Sequence, residues 1–307
     1  MTEQTSIIVA ICTFKRNEPL ANLLETLVAC AEDCRSKASI GVVVVDDTVD
    51  GQARSVAEAF AGRFEKRLVY RISGKQNISH ARNLAVETAM QLGEWVAMTD
   101  DDCEPRIDWL SALLEVQEKT SGDAVSGLMV RRVPPGSPAW ITKAPFLTLG
   151  AADFSDCQKM DVGFTNNSMV SSAWLLDHPN IRFDPKLGNL GGEDMAFFRA
   201  ARAAGLKIYF SVKGYIYENE PASRMTLKYQ LGRFYWYGNS SYVTMLEHGQ
   251  SPMRLFVHGA ANFCRALLRP FGRLARGQAP QLRFTLASLF LSCGVIAGCI
   301  GVRVRHN

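Results

Sequence analysis

From Ser251 to Asn307 the chain contains no aspartate, glutamate or lysine, although eight arginines fall there. Removing those eight from the 34 basic residues leaves 26 against 30 acidic ones in positions 1–250. A mildly acidic body with an all-arginine tail results, and an acidic body argues against a nucleic-acid partner. Cysteine numbers eight, irregularly spaced and without a pair of CxxC motifs, which excludes a disulfide framework and a four-cysteine zinc site. Cys30 and Cys34, four apart on a helical stretch, read as buried thiols. The five histidines show no HxxxH or HxH spacing, so a histidine metal site is excluded too. No G-x-G-x-x-G follows the first strand, which disfavours ordinary dinucleotide binding. The opening MTEQTS lacks the basic start and apolar core of a secretory signal, so a reduced, cytosolic-side protein is expected. Internal repeats and low-complexity segments are absent.

What is present suits a globular protein: 307 residues, 47% hydrophobic and 21% charged, enough for one large domain or two modest ones. Short apolar runs alternate with helical stretches. Ser6–Ile11, Ile40–Val45, Leu68–Ile72, Trp95–Thr99 and Ala124–Val130 read as strands too apolar for one wet face. Between them Leu20–Val28, His80–Leu92 and Trp109–Val116 carry helical spacing. The alternation predicts an α/β fold with a mostly parallel sheet covered by helices on both faces. Ligands of such sheets bind outside the carboxyl ends of the strands. Those ends carry Cys12-Thr13, Asp46-Asp47 and Asp100-Asp101-Asp102. Residues 133–152, rich in Pro and Gly, read as a loop or linker. Beyond it, 193–204 reads as a helix stopped by Gly205, and KIYFSV as a further strand.

The string TDDDCEP is the most informative. Three consecutive aspartates at a strand end raise one another's pKa, a cost that a divalent cation removes. Hard oxygen ligands suit Mg or Mn, held by one or two carboxylates plus substrate phosphates. Alternation along an extended segment predicts Asp100 and Asp102 on one face, with Asp101 pointing aside. The plainer alternative is a solvated acidic turn before the Trp109 helix. Gly191-Gly192-Glu193-Asp194 likewise admits two readings. The acids can favour the helix start through its dipole, or one can act as general base beside a glycine turn that lets an acceptor approach. In GKQNISHARNLAV, Lys75 and Arg82 lie near the acidic rim in chain order, where they could neutralise a diphosphate; His80 reads as structural or exposed.

In order, AICTFKR, VVVVDD, SHARN, TDDDCEP and GGEDMAFF resemble the motif set of the inverting nucleotide-sugar glycosyltransferases of family 2, over about Ser6 to Glu220. The stretch TNNSMV to FDPKLGNLGGEDMAFFRAARAAG is similar to the bacterial exopolysaccharide branch, notably succinoglycan-type glucosyltransferases. The resemblance implies the GT-A fold, Rossmann-like, over 1–222, with a nucleotide-sugar half (1–132) and an acceptor half (133–222). It places Thr13 and Asp47 at the uracil base with Arg82 nearby, and Asp100 and Asp101 on the nucleotide. Asp102, with Asp100, falls to a divalent metal (Mn or Mg), and Asp194 to the general base, with its neighbour Glu193 as rival. A metal that stabilises the departing diphosphate and one base without a second nucleophile imply single displacement with inversion. VDDTVDG departs from the commoner DDGS-type turn. QLGRF at 230–234 matches the QxxRW motif of processive synthases only loosely.

Residues 223–307 form the remaining region. Arg265, Arg269, Arg273 and Arg276 recur at helical spacing, opposite Leu267, Phe271 and Leu274. Pro270 and Gly272 predict a kink or two short helices there. Phe284–Val302 is an uncharged run of 19 residues, against the roughly 17–25 needed to cross a bilayer core. A helical, membrane-associating region at the cytoplasmic face of the inner membrane is therefore expected, fitting a lipid-linked saccharide acceptor. The alternative is a buried helix whose Gly294, Gly298 and Gly301 serve close packing. Two other functions compete. A sugar-phosphate nucleotidyltransferase usually has an N-terminal Gly-rich phosphate loop, absent here; a non-catalytic partner in a polysaccharide assembly complex could dispense with the acids, all of which are present.

Overall fold

The computed structural model describes residues 4–143, 145–146, 154–247 and 249–304. Its chain order is β1 (Thr5–Thr13), α1 (Asn17–Cys34), β2 (Ala38–Asp46), α2 (Arg54–Ala59), β3 (Leu68–Ile72), α3 (Ile78–Ala89), β4 (Trp95–Asp100) and β5 (Cys103–Pro105). There follow α4 (Trp109–Thr120), β6 (Ala124–Arg132), β7 (Lys159–Met160), β8 (Ser168–Ser171), α5 (Ser172–Asp177), α6 (Glu193–Ala203) and β9 (Ile208–Asn219). Three helices complete the described chain: α7 (Leu227–Glu247), α8 (Pro252–Leu274) and α9 (Leu282–Cys299). Contacts divide these elements into two units. The first comprises Met1–Arg132, Ala151–Gly188 and Glu193–Asn219; the second comprises Val133–Gly150, Asn189–Gly192 and Glu220–Asn307.

In the first unit the strands form one sheet, ordered β3-β2-β1-β4-β8-β6-β9-β5, with β7 pairing to β9. The β3-β2-β1-β4 half is parallel, as the apolar runs predict. The expected fifth parallel strand, β6, does not join β4. The short antiparallel β8 lies between them, and β9 then runs parallel to β6. Four residues, SMVS, are too few to show a period in sequence. Odd and even positions of β1 explain its apolar character. Ile7, Val9 and Ile11 pack with Leu20, Leu23, Leu24 and Leu27 of α1, while Ile8 and Ala10 share the opposite layer with Ala81 and Ala85 of α3 and Phe198 of α6. Full burial of each such leucine or isoleucine contributes about 1.5–3 kcal/mol. Cys30 and Cys34 are buried free thiols in the α1 layer.

Asn167 ties the irregular part of the sheet together. The β6–β9 register shifts between Gly127 and Met129. The wholly buried Asn167 side chain accepts from Trp109 Nε1 at 2.8 Å and donates to the carbonyls of Leu128 (3.0 Å) and Gly214 (2.8 Å). Asn167→Leu fills the same space but orphans those three groups. It should lower stability by about 2–4 kcal/mol, at about 1–3 kcal/mol for each unmet buried group with partial relaxation. Urea unfolding should show this as a lower midpoint at unchanged slope.

The second unit bears on two expectations. Of the predicted loop at 133–152, assigned above to an acceptor half, the described residues 133–143 and 145–146 group with the C-terminal helices; 144 and 147–152 lie outside the described residues. The Pro/Gly composition marks a loop, but Ile141 and Phe146 need apolar cover, and they bury with Phe234 and Ala287. Of the kink or two short helices expected at Pro270 and Gly272, the two-helix form does not occur: α8 runs through both as one helix. Pro270 removes one backbone bond, offset by a buried stripe of Leu255, Gly259, Ala266 and Pro270 itself. Close helix packing does occur at Gly294 and Gly298. A Cβ on Gly294 would meet Tyr235 O of α7, and one on Gly298 the Tyr242 ring; around Gly301 the space is open. Reciprocally, a Cβ on Gly238 of α7 would meet Leu291 O of α9. Among the described residues α9 is the one helix long and apolar enough to cross a membrane.

Candidate active site

The carboxyl ends of β1, β2 and β4, with the first turns of α3 and α6, form a polar rim in the first unit. Thr13 Oγ1 donates to Asp101 Oδ2 at 2.7 Å. Arg16 Nη1, just past β1, lies 3.0 Å from Asp101 Oδ1 and 2.8 Å from Asp102 Oδ2. Arg82, on α3, reaches the other way: Nη2 contacts Asp100 Oδ1 at 3.1 Å and Nη1 pairs with Glu193 Oε1. Beside this chain of charges lies a small cleft lined by Cys12, Arg82, Met98, Thr99, Asp100 and Thr165 among others. Thr99 Oγ1 is buried with no hydrogen-bond partner among the described residues. An unmet hydroxyl is costly, and a bound ligand or water can satisfy it.

The aspartate triplet differs from the alternation expected for it. Asp101 does not simply point aside: it is 4% exposed and, with Asp102, shares Arg16, whereas Asp100 turns to Arg82. Asp100 and Asp102 thus hold different cations. Burial pushes the Asp101 carboxyl up to about 6, against the lowering effects of Arg16 and Thr13. Arg16 is a rim residue that sequence reasoning missed, because its partners Asp101 and Asp102 lie 85 and 86 residues away.

Asp47 carries a load the sequence does not reveal. Its carboxylate accepts from Ser73 Oγ (2.5 Å) and from the backbone N–H groups of Lys75 (3.0 Å), Gln76 (3.0 Å) and Asn77 (2.6 Å). It thereby folds the loop into α3, whose start Asn77 caps. Adjacent Asp46 accepts from Thr48 N, Ala53 N and the Tyr70 hydroxyl. Lys75 and His80 are exposed.

At the start of α6, Gly191 and Gly192 both have left-handed backbones, φ 85° and 89°, so the turn itself requires glycine. Glu193 is buried and committed to Arg82. Asp194 is half-buried and takes a hydrogen bond from its own helix, Met195 N–H at 2.7 Å. Burial raises the pKa of both carboxyls, opposed by the Arg82 charge. Asp100 adds to the rise. A carboxyl with a raised pKa is suited to taking a proton near neutral pH.

The QLGRF string in the second unit is used internally. Gln230 is buried, donating to Arg224 O, and Arg233 pairs with Glu220 at 2.6 Å while donating to the Tyr237 hydroxyl.

A parallel half-sheet with an acidic rim, extended by a mixed half and a helix-borne acid pair, defines a GT-A-type α/β transferase fold. A family model described as Glycosyl transferase family 2 matches residues 8–176, more than half of the chain. The chain belongs to glycosyltransferase family 2, and it is a glycosyltransferase. It is 30% identical over 311 residues to the succinoglycan biosynthesis protein ExoM of Rhizobium meliloti (strain 1021), covering 98% of this chain and 95% of that relative. Solved structures share the fold. S. aureus TarS 1-349 in complex with UDP aligns with TM-score 0.55 and 16% identity, over 95% of this chain and 90% of that one. The same protein with UDP-GlcNAc gives 0.53 and 20%, over 80% and 67%. GalNAc-T7 with UDP, GalNAc and Mn2+ gives 0.53 and 15%, over 78% and 51%.

Proposed function

We propose that this glycosyltransferase moves a sugar from a UDP-sugar to a lipid-linked saccharide acceptor, by single displacement with inversion. The setting is bacterial exopolysaccharide synthesis at the cytoplasmic face of the inner membrane. One observation carries the reading: Arg82 links the strand-end Asp100 to Glu193, and among the described residues adjacent Asp194 makes no salt bridge of its own. Donor-side and acceptor-side carboxylates thus meet across one guanidinium. Thr13, Asp47 and Arg82 bind the nucleotide end, with Asp100 and Asp101. Asp194 takes the proton from the acceptor hydroxyl as that oxygen attacks the anomeric carbon.

A divalent cation, Mn or Mg, belongs beside the diphosphate. Among the described residues no three His, Cys, Asp or Glu side chains gather as a metal cage. Asp100 and Asp102 are nonetheless partly exposed hard-oxygen ligands, 40% and 25%. That donor set fits a Mg-type ion completed by substrate phosphates and water. Such an ion supplies charge for the leaving diphosphate. Calorimetry with UDP should show binding that requires Mn or Mg and is lost in Asp102→Ala. Equal affinity in EDTA, or an unaltered variant, overturns the metal assignment. Hydrolysis screens across UDP-sugars should then identify the donor.

A further inference from the structure

The three sectors of α8 have different chemistry. Leu255, Gly259, Ala266 and Pro270 form its buried stripe, and a Cβ on Gly259 would sit 3.1–3.2 Å from Val295 and Ile296 of α9. A second apolar sector faces outward: Met253 is 72% exposed, Phe271 69%, Leu268 66%, Val257 58% and Leu274 57%. At the helical turn per residue these five fall within an arc of about 120°. Arg254 flanks this face, with Arg265 and Arg269 further round the same side, and all three are exposed. Burial against α9 therefore explains one sector and leaves a wide apolar face uncovered.

Charge decides what covers it. The tail holds arginines and no acid, so a second copy seated tail to tail on this face would bring like-charged guanidinium rows together. Lipid phosphates are the complementary surface, and arginine stems can extend toward them while the apolar face enters the acyl boundary. α9 gives an independent constraint. Gly238 and Gly294 lock it to α7 at backbone distance. Spanning a bilayer would drag Arg233 and Asn239 of α7 into hydrocarbon.

We propose that α8 lies flat in the surface of an anionic phospholipid membrane, inserting Met253, Val257, Leu268, Phe271 and Leu274, with α9 packed behind it and not spanning. The proposal rests on the membrane reading above and adds the inserted face and its posture. Full-length protein should float with phosphatidylcholine vesicles that contain phosphatidylglycerol, and weakly with phosphatidylcholine alone. Leu268→Asp/Phe271→Asp should weaken vesicle binding by roughly tenfold or more, as two inserted side chains are lost. Arg265→Gln/Arg269→Gln should remove the preference for the anionic lipid. Circular dichroism and UDP-sugar hydrolysis in solution, both expected to match the parent, separate docking from folding and from catalysis. Loss of flotation with hydrolysis intact in the parent overturns this inference alone; loss of hydrolysis with flotation intact overturns the catalytic reading alone. Unchanged flotation of the apolar variant, or a dimer that this variant dissociates, also overturns it. In inverted membrane vesicles, protease should cut tags at both chain ends, and a protected C-terminal tag would mean that α9 spans.

Discussion

Asp194→Asn should bind UDP-sugar and metal as the parent does, yet transfer sugar more slowly by a factor of order 100 or more. The substitution keeps the shape and an oxygen that can accept the Met195 N–H, so the helix start survives. What it removes is the capacity to take a proton. Glu193→Gln should behave differently, because Glu193 is buried and neutralises Arg82. Its loss should appear first in stability and donor binding. Adjacent helical side chains point about 100° apart, so the pair cannot serve the acceptor equally. Rapid-quench transfer alongside calorimetry separates these outcomes. A nearly normal Asp194→Asn beside a dead Glu193→Gln would move the base by one residue.

Arg82→Met is expected to have the largest effect on the fold. It deletes a guanidinium that pairs with two carboxylates and strands Glu193 as a buried charge. Removing one partner of a buried pair costs about 3–5 kcal/mol at neutral pH. The pH dependence has a definite sign. Burial already lifts Glu193 and Asp194 above their ordinary 4.5 and 3.8, and Arg82 opposes that rise. Without it both pKa values climb further. A carboxyl whose folded pKa is raised binds more protons folded than unfolded, so stability falls as pH rises through the window between the two values. The deficit of Arg82→Met should therefore be small in acid and full at neutral pH, as urea midpoints across pH will report. The same sign governs catalysis. The acid limb of kcat/KM in the parent should lie above the ordinary carboxylate range, and any activity left in Arg82→Met should move its limb further alkaline.

What could be read from the sequence follows the strength of local signals. β1, β2 and β4 are long apolar runs with one turn-forming end each, so their existence, and the acids at their ends, are evident from composition. Family resemblance extends that to the order of the motifs. β8 is four residues long and gains its place only from the edges of β4 and β6, which no local window contains. Arg16 is similar: a basic residue in a loop is unremarkable until Asp101 and Asp102 arrive, 85 and 86 residues later. Asp47 was legible as a rim acid, but its four hydrogen bonds depend on how residues 73–77 turn back. The proline in α8 predicts a kink or a split from backbone chemistry alone, yet the helix continues through it. In 133–150 the Pro/Gly signal hid two aromatic or aliphatic anchors, Ile141 and Phe146, that determine where the segment belongs.

The insertion of β8 between β4 and β6 also has a consequence for how the protein is made. A ribosome releases β1 to β4 in an order that lets the parallel half zip together at once. β4 then presents a bare edge, because its partner in the finished sheet is Ser168–Ser171. Until that segment emerges, Asp100 to Asp102 sit at the end of an open strand that neighbouring nascent chains can pair with. The interval closes only when a late tetrapeptide slots in antiparallel. Slowed translation between residues 100 and 168 should therefore lengthen the time for which that edge stands unpaired.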